Sequence, residues 1–369
     1  MPHYYPIAFN KQYPMAPAIL NAYRKCTNNQ PVMFFDKEIS EESYWTELYK
    51  LAFFGCDRTG IATDLIIIAS FNQVNNWIVW GAWQLGGAMI FSLHPELVQE
   101  FLETDVTGLK VRDIKMPADQ LYLHWGVNES LGNIDGCFIL KVDDDFYFCP
   151  TSYDPNVDYE KPVNWFHEPQ TPVDCKLAGH WDIDYDFIYG EMEEKIKKLS
   201  TDAFPFADPE TARIVSGFMG EAYHKFQPYL LPLIRLMVTA MLYLTSAPDD
   251  VTPEWEDAPP DLVKKWEKAP PAKRKRVTQE LNKLGYRRIR FVGRKLTYPD
   301  APPRPRQPTD TSHLVFNRRR RRGHIRHQVC GEGRQQRKIV FIRPTWTWVK
   351  VNEANADMDL PRVYDVAPQ

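Results

Sequence analysis

The chain has 369 residues, 44% of them hydrophobic and 13% aromatic, which is enough for two or three domains around a buried core and too apolar for a disordered chain. Its net charge of −3 conceals a split: Lys264 to Lys350 carries 26 Lys and Arg against 5 Asp and Glu, while the remainder holds 43 acidic and 19 basic residues. An acidic body with a basic C-terminal third implies either intramolecular docking or a polyanionic partner.

Six cysteines (Cys26, Cys56, Cys137, Cys149, Cys175, Cys330) lack paired spacing, which predicts reduced thiols in a cytoplasmic protein. The N-terminus, MPHYYPIAFNKQYP, has no basic region followed by an apolar core, so no signal peptide is expected. Residues 1–60 read as a packing layer, with a helix near Glu41 to Phe54 where Tyr44, Leu48 and Leu51 recur at helical spacing. Asp64 to Phe71 is an apolar run that periodicity assigns equally to strand or helix. Pro95 to Leu102 predicts a short helix with Pro in its first turn, burying Leu97, Val98, Phe101 and Leu102.

Gly136 to Cys149 predicts a hairpin around Asp143, Asp144 and Asp145, whose consecutive carboxylates read as a solvated tip. In His180-Trp181-Asp182-Ile183-Asp184-Tyr185-Asp186 an extended chain would put His180 and three aspartates on one face, a pattern for a divalent metal or for the polar side of a strand. Asp208-Pro209-Glu210 opens a helix, and the apolar run Tyr229 to Ser246 is expected to pack against it. That run approaches membrane-spanning length, but Pro232 and Arg235 make it a buried core helix. Ala247 to Pro260, acidic and Pro-rich, reads as a linker. Pro270-Pro271 opens a helix to Leu284 stopped by Gly285, with Lys273 to Arg276 clustered in its first turn against the macrodipole. Tyr286 to Val292 alternates as a strand, and residues 299–312 form a Pro-rich connector that would set the closing module apart from the body.

The stretch Asn317 to Val349 concentrates the positive charge. Arg318, Arg319, Arg320, Arg321 and Arg322 run into Gly323-His324, followed by Gly331-x-Gly333 and an apolar run ending in Trp346 and Trp348. Two glycines permit a tight reversal, so Arg320 to Val329 and Lys338 to Val349 are expected to pair as hairpin arms, with Arg326, Arg334, Arg337, Lys338 and Arg343 beside the arginine run. Such charge persists where solvent or phosphate neutralises it. Ile339 and Phe341 occupy one phase of the second arm and Val340 and Ile342 the other, as in a strand covered on both sides, and Pro344 marks a bend. The two tryptophans can anchor the module or stack on bases. His313, His324, His327 and Cys330 supply zinc-ligand types at a spacing that fits no established finger, so no metal is assigned. The histidines could instead serve acid–base cleavage of RNA. No phosphate-binding loop, nucleophile elbow or dinucleotide fingerprint is present, so no cofactor is expected.

Arg321-Arg322-Gly323-His324, then Gly331-x-Gly333, Lys338 and the strand reaching Pro344, resembles the C-terminal signature of the second type V-A anti-CRISPR family of phages and mobile elements. Gly81-Ala82-Trp83 and the segment from Leu230 to Pro248 are similar to the family's central segments. Ile325 stands where that signature has an aromatic residue, and Phe341-Ile342-Arg343 where it has Trp beside the proline. The resemblance implies an inhibitor that lowers production of a Cas12a-type nuclease, reading the nascent peptide on the translating ribosome and causing loss of the mRNA.

The expectation is thus an α+β protein: an acidic body over 1–200, central helices and linker over 201–260, a basic helix–strand segment over 261–312 and an Arg-rich β module over 313–369. It would act without a membrane, as a non-enzymatic regulator. Two alternatives stay open. One is a ribonuclease using His324 and His327 or Asp182, Asp184 and Asp186, and the other is a nucleic-acid-binding structural protein of a mobile element.

Overall fold

The computed structural model describes residues 4–29, 77–152, 175–202, 209–256, 258–294, 314–321, 323–330, 333, 336–342 and 345–352. The expected helix near Glu41 to Phe54, the apolar run Asp64 to Phe71 and the connector 299–312 lie outside them.

Helices α1 (Tyr5–Gln12) and α2 (Ala16–Cys26) are followed by α3, described over 77–85, and then by strand β1 (Ile90–Leu93) and α4 (Pro95–Leu102). Next come β2 (Gln120–His124), β3 (Ile134–Val142), β4 (Asp145–Ser152) and β5 (Cys175–Leu177). Two long helices follow, α5 (Tyr185–Asp202) and α6 (Pro209–Ser246), then β6 (Val251–Glu254), α7 (Pro260–Lys268), α8 (Pro271–Lys283) and β7 (Ile289–Val292). Four strands close the chain: β8 (Leu314–Arg321), β9 (His324–Cys330), β10 (Gln336–Ile342) and β11 (Thr345–Asn352). The fold is α+β.

Seven strands form one mixed sheet in the order β5-β4-β3-β2-β1-β7-β6. β1 runs parallel to both β2 and β7, and the other pairings are antiparallel. Period-two alternation divides its side chains between two cores. Phe91, Leu121, Leu123, Cys137, Ile139, Phe146 and Phe148 face α4 and α6, while Ile90, Tyr122, Phe138, Leu140 and Ile289 face α1, α2 and α3. Trp77, Trp80 and Trp83 are fully buried in the second core. Gly136 is required where β3 passes Tyr122, since a Cβ there would lie 2.1 Å from the phenol oxygen.

Several expectations hold in detail. The helix Pro95–Leu102 buries Leu97, Val98, Phe101 and Leu102, as its spacing predicts. β3 and β4 pair as the expected hairpin, with Asp143 at positive φ in the tip. Asp145 there bridges Lys176 at 2.5 Å and accepts a hydrogen bond from the Gly179 amide. The helix Pro271–Lys283 stops before Gly285, whose φ is 90°. Cys137 and Cys149 are buried and unbridged.

Four expectations are corrected. Tyr229 to Ser246 does not pack against a separate helix: it continues the one that opens at Pro209, through Pro228 and Pro232. Its apolar residues are buried in the first core, and that burial outweighs the hydrogen bonds the two prolines remove. Ala247 to Pro260 is not a linker, because Val251–Glu254 pairs with β7 at the sheet edge. Pro253 is tolerated there because an edge strand leaves one row of amides without a ladder partner. Asp182, Asp184 and Asp186 do not share an extended face. The Asp182 backbone forms an isolated antiparallel β-bridge with that of Lys110, Asp184 accepts from the Phe187 amide at 3.1 Å as α5 begins, and Asp186 lies in that helix's first turn. Finally, the closing β strands are not set apart, since Phe341 belongs to the core of the body.

Candidate nucleic-acid interface

The closing strands form a two-armed ribbon. β9 and β10 pair antiparallel from Cys330↔Gln336 to His324↔Ile342, and β8 and β11 pair from Arg321↔Thr345 to Leu314↔Asn352. Both pairings share one register, as two halves of one hairpin would, and the arms expected at Arg320 to Val329 and Lys338 to Val349 lie largely within them. Gly333, at φ 63°, lies in the turn between β9 and β10. Gly331, Arg322, Arg334, Arg343 and Pro344 fall outside the described residues, as does His313.

Gly323 has a steric reason for being glycine. A Cβ there would lie 2.5 Å from Cζ of Phe341. That ring is 6% exposed and meets Phe101 of α4 at 5.5 Å and Tyr243 of α6 at 5.7 Å, both edge-on. Ile325 and Ile339 pack against the same core. The Gly-His motif is therefore the place where the ribbon meets the body, and Phe341 is the side chain that fixes it. Its partners Phe101 and Tyr243 are far away in sequence, so the sequence marks Phe341 only as one phase of a strand. The two-sided cover expected of β10 is present too, since Val340 is also buried.

On the distal half, Arg318 pairs with Trp348 and Arg320 with Trp346. Directly opposed residues of an antiparallel pair share a face. Arg318, Arg320, Trp346 and Trp348 therefore occupy one phase of the ladder, and Arg319 and Arg321 the other, with Thr347 and Thr345. On the proximal half Arg326 is exposed, His324 is half-buried opposite Ile342, and Lys338 pairs with Gln328. His324 and His327 stand three positions apart in an unbroken ladder, an odd separation that puts them on opposite phases of the pleat.

Other cations of the basic third are committed to the fold. Arg287 donates to the carbonyls of Asn282 and Tyr286 and to Gln84 Oε1, and burial pushes its guanidinium down to about 10. Arg294 pairs with Glu254 at 2.5 Å and lies over the Phe291 ring. Arg290 covers Phe91, and burial, then the nearby Arg288, lowers its pKa. A basic run in the sequence does not by itself separate such structural arginines from available ones.

The comparison that decides the family covers these elements, β11 only in part, and leaves out the N-terminal helices. The model of the AcrVA2-like proteins, the Anti-CRISPR type V subtype A2 family, matches residues 91–347, from β1 into β11. The chain belongs to the AcrVA2-like family. The crystal structure of AcrVA2 aligns with 94% of this chain and 97% of its own at 14% identity, with a TM-score of 0.35. No curated protein matches. Within this AcrVA2-like chain the matched span includes Arg318 to Arg322, Gly323, His324, Gly331, Gly333, Pro344 and Trp346, and it ends before Trp348.

Proposed function

We propose that this anti-CRISPR family member recognises a nascent peptide of its target, by resemblance the N-terminal segment of a Cas12a-type nuclease, and triggers loss of the encoding mRNA. The observation that carries the reading is the family match, which takes in most of the sheet, α6 and both arms of the ribbon. In this reading the acidic body receives the peptide at the translating ribosome, in the cytoplasm of a bacterial host, with no membrane involved. Arg318 to Arg322, Arg326, Arg334, Lys338 and Arg343 neutralise phosphates of messenger or ribosomal RNA. Trp346 and Trp348 share a ladder phase with Arg318 and Arg320, and alternating guanidinium and indole groups suit a strand that offers phosphates and base faces in turn.

The protein acts in this reading as a regulator and not as a nuclease, with Asp182, Asp184 and Asp186 separated where the chain turns helical. A reporter fused to the N-terminal codons of a type V-A nuclease, in native and synonymously recoded forms, tests the proposal when co-expressed with the protein. Equal loss of reporter mRNA from both forms is the expected result, since the encoded peptide is then the signal. Loss from the native codons alone would mean that nucleotide sequence is read, and an unchanged mRNA level in both would overturn the reading.

A further inference from the structure

The helical hairpin of α7 and α8 separates two kinds of cation. Its helices are joined by Ala269 and Pro270 alone, and they enclose a small core of Trp255, Val277 and Leu281 with Trp266 packed against it. Arg274 turns inward: its Nε donates to the Ala269 carbonyl at 3.0 Å, a terminal nitrogen donates to the Glu267 carbonyl at 3.2 Å, and the guanidinium stacks over Trp266 at 4.9 Å. Arg288 reaches the same indole at 4.5 Å. These two arginines hold the turn together.

Lys268, Lys273, Lys275 and Arg276 do not. All four are exposed around that turn, and none forms an ion pair with a described residue. Residues 260–288 contain ten Lys and Arg against three Asp and Glu, and one of those three, Glu280, is already taken by Lys265 at 2.8 Å. Three of the four cations sit in the first turns of α8, where the helix macrodipole opposes them. The fold therefore gains nothing from keeping them there.

The patch also lacks what a protein partner would need. Interfaces between proteins have an apolar centre, whereas the one strongly exposed large hydrophobic of this hairpin, Leu284, lies past the far end of α8. That helix is about 20 Å long at 1.5 Å per residue. A phosphate backbone requires only cations.

We propose that the α7–α8 turn is a second RNA-contacting surface, which binds phosphates through Lys268, Lys273, Lys275 and Arg276 independently of the ribbon. It rests on RNA being a partner in the proposed function. The full chain and a K273Q/K275Q/R276Q variant, titrated with a labelled single-stranded RNA between 50 and 200 mM salt, test it. Loss of three phosphate contacts makes the log–log salt slope shallower by about 2, so the fall in affinity over that range shrinks roughly twentyfold.

The three side chains are exposed, so the urea midpoint should stay unchanged. If it drops, single K273Q and R276Q variants decide, each expected to remove about 0.7 from the slope. An unchanged slope overturns the proposal. The mRNA reporter keeps the two readings apart. If the wild-type chain lowers reporter mRNA while the slope is unaffected, only the second surface falls. If the wild-type chain leaves the mRNA unchanged, the proposed function fails whatever the slope shows.

Discussion

Replacing Phe341 with alanine tests whether the ribbon is part of the body or a separate module. The ring is almost fully buried and makes edge-on contacts with Phe101 at 5.5 Å and Tyr243 at 5.7 Å. Removing a buried phenyl group forfeits about 1.5–3 kcal/mol of transfer free energy. Each aromatic pair adds roughly 0.5–1.5 kcal/mol beyond area, so the total falls in the usual range of about 3–5 kcal/mol for Phe→Ala in a core. Urea unfolding should show this as a lower midpoint at an unchanged slope. A double-mutant cycle with Phe101→Ala should show a coupling of about 1 kcal/mol. A loss below about 1 kcal/mol, or strict additivity with Phe101→Ala, would refute the claim that this ring fixes the ribbon to the body.

Gly323→Ala forces a methyl group to within 2.5 Å of the same ring, and overpacking of about 1–3 kcal/mol is expected, partly relieved by adding Phe341→Leu; urea midpoints of the single and double variants check it. Asp135 is buried and accepts from Thr151, which also bonds the Tyr122 hydroxyl, and burial raises its carboxyl from 3.8 to about 7. Because the folded state holds this proton more tightly, its contribution is full below about pH 4 and is lost as pH rises towards 7, by up to about 4 kcal/mol. Asp135→Asn should therefore flatten the fall of Tm between pH 5 and 8, and parallel curves for variant and parent would contradict the assignment. Replacing Arg318 to Arg322 with glutamine should make the log–log salt slope for single-stranded RNA shallower by about 3.5, equivalent to roughly a hundredfold change between 50 and 200 mM. A slope equal to the parent's would remove RNA from the ribbon's role.

Local signals in the sequence carry much of this architecture. The helix from Pro95, the hairpin around Asp143, the helix from Pro271 and the pairing of the ribbon's arms all rest on proline position, glycine position or period-two alternation within a few dozen residues. What stays hidden depends on distant partners. Nothing near Val251–Glu254 announces a strand, because its pairing with β7 and its tolerance of Pro253 are properties of the sheet edge. Asp182, Asp184 and Asp186 alternate like a strand, yet the chain turns helical at Tyr185 and separates them. The candidate interface shows the same division. The Arg-rich ribbon and its motif glycine are visible in the sequence, but the reason for Gly323 requires Phe101 and Tyr243. Likewise Lys273 and Arg274 are adjacent in the chain, and only the folded turn, with the Trp266 indole and the carbonyls of Glu267 and Ala269, distinguishes the structural cation from the available one.

The position of β7 has a consequence for biogenesis. β1 is paired on one side by β2, about thirty residues away, and on the other by β7, with Ile90 opposite Ile289. Until roughly two hundred further residues have left the ribosome, β1 presents an unpaired edge, the kind of surface that captures other strands. Closing so long a loop is slow compared with forming a hairpin. A product truncated before β7 would therefore lack an interior strand of its sheet, so the acidic part of this protein is expected to accumulate in native form only when the basic part is synthesised with it.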